Sequence, residues 1–97
     1  MKNIEKIKNI IKTHKSELKN SFKVKRIGIF GSYIRGEQTG KSDLDILVDF
    51  SEPIGLLEQA GLWNYLDDIL KIKTDLVCLK KIRPELKNNI LNEVLYL

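Results

Sequence analysis

The sequence predicts an α/β chain of the α+β kind, a small mixed sheet of three to four strands flanked by helices. Three short runs rich in β-branched and aliphatic residues, ending at Phe30, Phe50 and Leu79, read as strands. Between and around them lie longer segments whose apolar residues recur every three to four positions, the spacing of one helix face. The connections supply the topology. A helix between the second and third strands implies a right-handed crossover and a parallel pair. The short connector between the first two, if it leaves them antiparallel, makes the sheet mixed.

Each element has its own residues. The first helix, 3–19, carries Ile4, Ile7, Ile11, His14 and Leu18 on one face, with lysines 2, 6, 8, 12, 15 and 19 around the rest. His14 is the only histidine; on that stripe it reads as a residue at the edge of the core rather than a base or ligand. Residues 22–26 lead into a strand holding Ile27, Ile29 and Phe30, which Gly31 ends. A connector, 33–42, contains Gly36 and Gly40. The second strand, 44–50, stops at Ser51-Glu52-Pro53, and a helix over about 54–71 follows. Its expected buried stripe is Leu56, Leu57, Ala60, Trp63, Leu66, Ile69 and Leu70, which makes Trp63 a core residue. The third strand, 74–79, holds Cys78 as a small hydrophobe. Pro84 suits the first position of a last helix whose apolar face is Leu86, Ile90, Leu91, Val94 and Leu95. Tyr96-Leu97 is expected to dock on the sheet or form an interface.

Composition narrows the function classes. Ninety-seven residues, 42% hydrophobic and 31% charged, describe one globular domain over 1–97. No run approaches the ~18 apolar residues of a membrane span, and the charged N-terminus has no signal-peptide core. With one cysteine and hence no internal disulfide, a cytoplasmic protein is expected. Charge is uneven: residues 1–26 hold nine Lys/Arg against Glu5 and Glu17, whereas residues 27–97 hold eight against eleven acids. The lysines surround an ordinary core stripe without stacking aromatics, so they read as a solvated face, and nucleic acid is not the expected partner.

The chemistry concentrates in IGIFGSYIRGEQTGKSDLDILVD, Ile27 to Asp49. Gly31 allows a tight turn and close approach of a ligand to the backbone. Ser32 adds a hydroxyl and an amide for phosphate, and a short helical turn starting near it would aim free amides at the same point. Asp43 and Asp45 flank Leu44, so in a strand both carboxylates leave one face, with Cα atoms roughly 6.5–7 Å apart. That lets them converge on divalent ions about 3.5–4 Å apart, as in two-metal phosphoryl transfer. A parallel third strand brings Asp75 to the same edge. Arg35 and Lys41 fit equally as phosphate contacts or as solvated loop residues. Ser42 suits the turn before Asp43, and Asp49, of the same parity but well down the strand, reads as a surface residue.

Gly31-Ser32, ten intervening residues, then Asp43-Leu44-Asp45 resembles the signature of the polymerase-β-type nucleotidyltransferase superfamily. The chain length, Gly31-Ser32-Tyr33 with Arg35-Gly36, Ser42 and the Asn92-Glu93-Val94-Leu95-Tyr96-Leu97 ending resemble its minimal nucleotidyltransferase branch. The resemblance covers essentially the whole chain and implies the nucleotidyltransferase fold. It implies transfer of AMP from ATP, with Asp43, Asp45 and Asp75 as catalytic ligands of two Mg²⁺ ions and Gly31 and Ser32 holding the β- and γ-phosphates. It also implies an antitoxin role, the acceptor being a tyrosine hydroxyl of a helical HEPN ribonuclease toxin, and a homo- or hetero-oligomer. Two other readings stay open: a non-catalytic module that neutralises its partner by complex formation, and transfer to an antibiotic-like small molecule.

Overall fold

A computed structural model describes residues 3–97; Lys2, assigned to the polar side of the first helix, lies outside them. Four strands form one sheet in the order β3-β2-β1-β4. They are β1 (Val24–Phe30), β2 (Leu44–Phe50), β3 (Thr74–Cys78) and β4 (Leu95–Tyr96). β2 runs antiparallel to β1 and parallel to β3, as the connection lengths require. The helices are α1 (Ile4–Thr13), α2 (Lys15–Phe22), α3 (Ser32–Arg35), α4 (Leu56–Leu70) and α5 (Pro84–Glu93). A 3₁₀ turn, Leu79–Lys81, takes the last residue expected for the third strand.

Period-2 alternation explains the core. Leu44, Ile46 and Val48 leave one face of β2 and are buried together with Ile27 and Ile29 of β1. Ile7, Ile11, Leu18, Leu62, Leu66 and Leu70 of the helices close over them. Asp45 and Asp49, of opposite parity, belong to the other face.

Three expectations are corrected. The first helix is two, broken at His14, whose φ of −104° and ψ of 11° leave the helical range. Its amide is shared between the carbonyls of Ile10 and Ile11, and its Nδ1 lies 2.7 Å from the Ile10 oxygen. Its ring meets Tyr65 edge-on at 6.0 Å, at the rim of the core as expected. The second correction concerns α4, whose sequence is apolar on two faces. The face that meets the sheet carries Leu62, Leu66 and Leu70, while Leu56, Leu57, Ala60 and Trp63 are exposed. Trp63, expected in the core, is 39% exposed and donates its indole N–H to the Thr74 carbonyl at 2.8 Å. Third, α5 buries none of its residues fully and contributes none to the core cluster.

The chain end forms an edge strand. Leu95 and Tyr96 pair with Ile29 and Gly28, and the Leu97 amide bonds the Ile27 carbonyl at 2.9 Å. Gly28 permits this: a Cβ there would stand 2.6 Å from Val94 Cγ2 and 3.0 Å from the Leu95 oxygen. Of the residues expected on the last helix, Val94 caps its C-terminus and Leu95 belongs to the tail strand. Among the described residues, no helix is long and apolar enough to cross a membrane.

Candidate active site

The site is built where β1 ends and β2 and β3 begin. Gly31 follows β1 with φ 80° and ψ −152°, a conformation that only glycine adopts without strain. A Cβ there would also run into the Asp45 carboxylate. The turn leads directly into α3, as the short helical turn expected near Ser32. The Gly31 carbonyl accepts from the Ile34 and Arg35 amides at 3.0 and 3.1 Å. The first amides of such a turn have no acceptor within it. Ser32, half-buried, is the first residue of α3 and directly follows the glycine that Asp45 lies against.

The connector folds on itself before delivering the acids. Ser42 Oγ accepts from the Thr39 amide at 2.8 Å, and the Ser42 amide donates to the Thr39 carbonyl at 3.1 Å. The Leu44 amide then bonds the Lys73 carbonyl at 2.9 Å and opens the parallel ladder. In that ladder Asp45 is the register partner of Asp75. Adjacent strands lie about 4.8 Å apart, so the two carboxylates share one edge. Asp43, just before β2, joins them. The sheet therefore brings together all five residues singled out in the sequence.

Electrostatics distinguishes Asp45 from an ordinary surface acid. Burial, then the charges of Asp75 and Asp43, push its carboxyl up to about 6, and Arg35 only partly offsets this. Negative charge is in excess here, and hard carboxylate oxygens are the donor set for a divalent cation such as Mg²⁺. Among the described residues no three His, Cys, Asp or Glu side chains are already gathered at metal-holding distance. The acids are neighbours: Asp45 and Asp75 are register partners, and Asp43 precedes Asp45 by two residues. Two cavities open on them. One of about 530 Å³ is lined by Tyr33, Lys41, Ser42, Asp43 and Lys73. Another of about 270 Å³ is lined by Gly31, Arg35, Asp45 and Glu93.

Two basic residues left open by the sequence now differ. Arg35 is committed, with Nε on Glu37 at 2.8 Å and Nη1 on both Glu93 oxygens at 3.0 and 2.9 Å. Lys41 stays exposed at the larger cavity, joined by Lys73, which sequence reasoning missed as a lining residue. Glu93 was missed as well. Its only signal was its place in the chain ending, yet its carboxylate accepts the Gly31 amide. Asp49 is corrected: it is 8% exposed rather than a surface residue, and Arg26 Nη2 reaches it at 3.4 Å.

A four-stranded mixed sheet with a glycine-serine turn and three acids at one edge defines a nucleotidyl-transfer site class. The chain belongs to the nucleotidyltransferase domain family, whose model matches residues 7–97. MJ0126 of Methanocaldococcus jannaschii, which bears a protein adenylyltransferase name, is 50% identical over the full length of both chains. Protein adenylyltransferase MntA of Thermococcus cleftensis is 43% identical, covering 99% of this chain and 97% of its own. A solved structure described as a minimal nucleotidyltransferase superposes with a TM-score of 0.84 at 32% identity, covering 99% of this chain and 97% of that one. A toxin–antitoxin crystal structure with AMP-PNP superposes with a TM-score of 0.74 at 27% identity, covering 93% of this chain and 70% of that one. The fold and family expected from the sequence are borne out.

Proposed function

We propose that this chain transfers AMP from ATP to a tyrosine hydroxyl on a helical HEPN-type toxin and so silences it. The observation that carries the reading is the meeting at one sheet edge of Asp45 with its register partner Asp75 and with the Gly31 turn, Asp43 standing two residues before it. It is supported by relatives that match the chain end to end and bear protein adenylyltransferase names.

Asp43 and Asp45 would hold two Mg²⁺ ions, with Asp75 completing the second ion's ligands. Bound there, Mg²⁺ supplies charge neutralisation at the phosphates and lowers the pKa of the attacking hydroxyl. Gly31, through the close approach its turn allows, and Ser32, through its hydroxyl and amide, would hold the β- and γ-phosphates. The acceptor oxygen loses its proton toward Asp75 and bonds to the α-phosphorus as the bond to the bridging oxygen breaks. Pyrophosphate leaves. The protein's contribution is chiefly positioning and electrostatics. A protein acceptor suits the outer side of α4, where Leu56 and Leu57 are 78% and 89% exposed beside Trp63. The reading places the reaction in the cytoplasm, in a complex with the partner.

The test is label transfer from α-labelled ATP with Mg²⁺ to the product of the neighbouring gene, for wild type and Asp43→Asn/Asp45→Asn. Label on the partner from wild type alone supports the reading. No transfer, with tight complexes from both proteins, favours a module that neutralises by binding.

A further inference from the structure

We propose that Glu93 is a positioning residue for the transfer, setting the phosphate turn and the direction of Arg35 from the far end of the chain. The inference rests on the nucleotidyl-transfer reading and deepens it.

Glu93 bonds two groups that are remote in sequence and adjacent in the site. One carboxylate oxygen accepts the Gly31 amide, and both accept Arg35 Nη1. Gly31 must be glycine because Asp45 lies against its Cα and its φ is positive. Glycine is also the residue that least restrains its own peptide. The turn that receives phosphate therefore needs an external restraint, and the Glu93 carboxylate provides one. Arg35 has the same need: it is a long, half-exposed side chain whose planar fork is held between Glu37 and Glu93.

The restraint is anchored on the strand that it serves. Glu93 ends α5, where the Val94 amide caps back to the Ile90 carbonyl at 2.9 Å. Two residues on, β4 pairs with β1, the strand that runs into Gly31. Chain end, phosphate turn and Arg35 thus form one closed set of contacts around the cavity that Asp45 lines.

The experiment compares Glu93→Ala, Glu93→Asp and Glu93→Gln in the full chain. It measures the Kd of a non-hydrolysable ATP analogue with Mg²⁺, the ligand-free Tm and the Gly31 amide resonance. Alanine is expected to weaken analogue binding at least about tenfold and to move the Gly31 resonance, the loss of a charge-assisted bond. Aspartate, one methylene short, weakens binding about threefold or more and carries the test should the alanine variant not fold. Glutamine keeps an acceptor for the Gly31 amide and recovers binding to within about threefold of wild type. A folded alanine or aspartate variant with wild-type Kd overturns the proposal, whatever its Tm, since a purely structural role predicts that pattern. Tighter binding overturns it too, because the carboxylate would then compete with phosphate. A wild-type protein that binds no analogue overturns the nucleotidyl-transfer reading together with the proposal, and that control separates the two failures.

Discussion

β2 carries acids of the same parity toward both its ends, in opposite company. Asp49, four residues beyond Asp45, is buried and meets Arg26, while at the same end Lys23 pairs with Glu52 at 2.8 Å. Asp45 faces Asp75 across the ladder and Asp43 two residues earlier, and its carboxyl is pushed up to about 6. A half-buried acid crowded by like charges costs stability unless a cation arrives. The comparison separates two uses of one residue type: the far end neutralises its charge internally, and the site end keeps it in excess for a ligand.

The largest effect expected is on catalysis. Asp43→Asn/Asp45→Asn should lower label transfer by at least about 100-fold, whereas Asp49→Asn should leave it within about twofold. Equal losses at both ends would break the comparison. Next comes the turn: Gly31→Ala should cost about 1–3 kcal/mol by urea unfolding, from its backbone conformation and the collision with Asp45. Gly40→Ala, with open space around it, serves as the near-neutral control. At the far end, Asp49→Asn should destabilise by about 1 kcal/mol, since Arg26 loses a partner that is only partly screened.

The smallest effect is the most diagnostic in sign. Asp45 binds its proton up to about pH 6 when folded, against an ordinary value of 3.8. Between those values the folded state holds more protons than the unfolded one, so metal-free stability falls as pH rises through the window. Asp45→Asn should therefore stabilise the metal-free protein at pH 7, by on the order of 1 kcal/mol, and flatten its Tm between pH 4 and pH 6. A Tm independent of pH in wild type would remove the charge-excess argument.

Much of the site could be read from local pattern. The alternation through Leu44-Asp45-Ile46 fixes the Asp45 carboxylate opposite a buried pair, because a strand has no other way to place it, and Asp43 stands just before the strand. Gly31-Ser32 marked the turn, and the helix between β2 and β3 brought Asp75 alongside. What was misread had two solutions at the local level. α4 is apolar on two faces, and contact with the sheet selected Leu62, Leu66 and Leu70 over Leu56, Leu57 and Trp63. His14 continues the helical stripe in sequence, but the chain bends there and His14 meets Tyr65.

By itself, then, the sequence determined the strand order along the chain, the sidedness of the acids and the glycine-serine turn. Each follows from spacings of one or two residues or from the stereochemistry of a single residue. Only the tertiary structure decided which face of α4 is buried, that Asp49 meets Arg26, and that Glu93 restrains a turn 62 residues away. Those outcomes depend on contacts between segments remote in sequence, and no local periodicity encodes them.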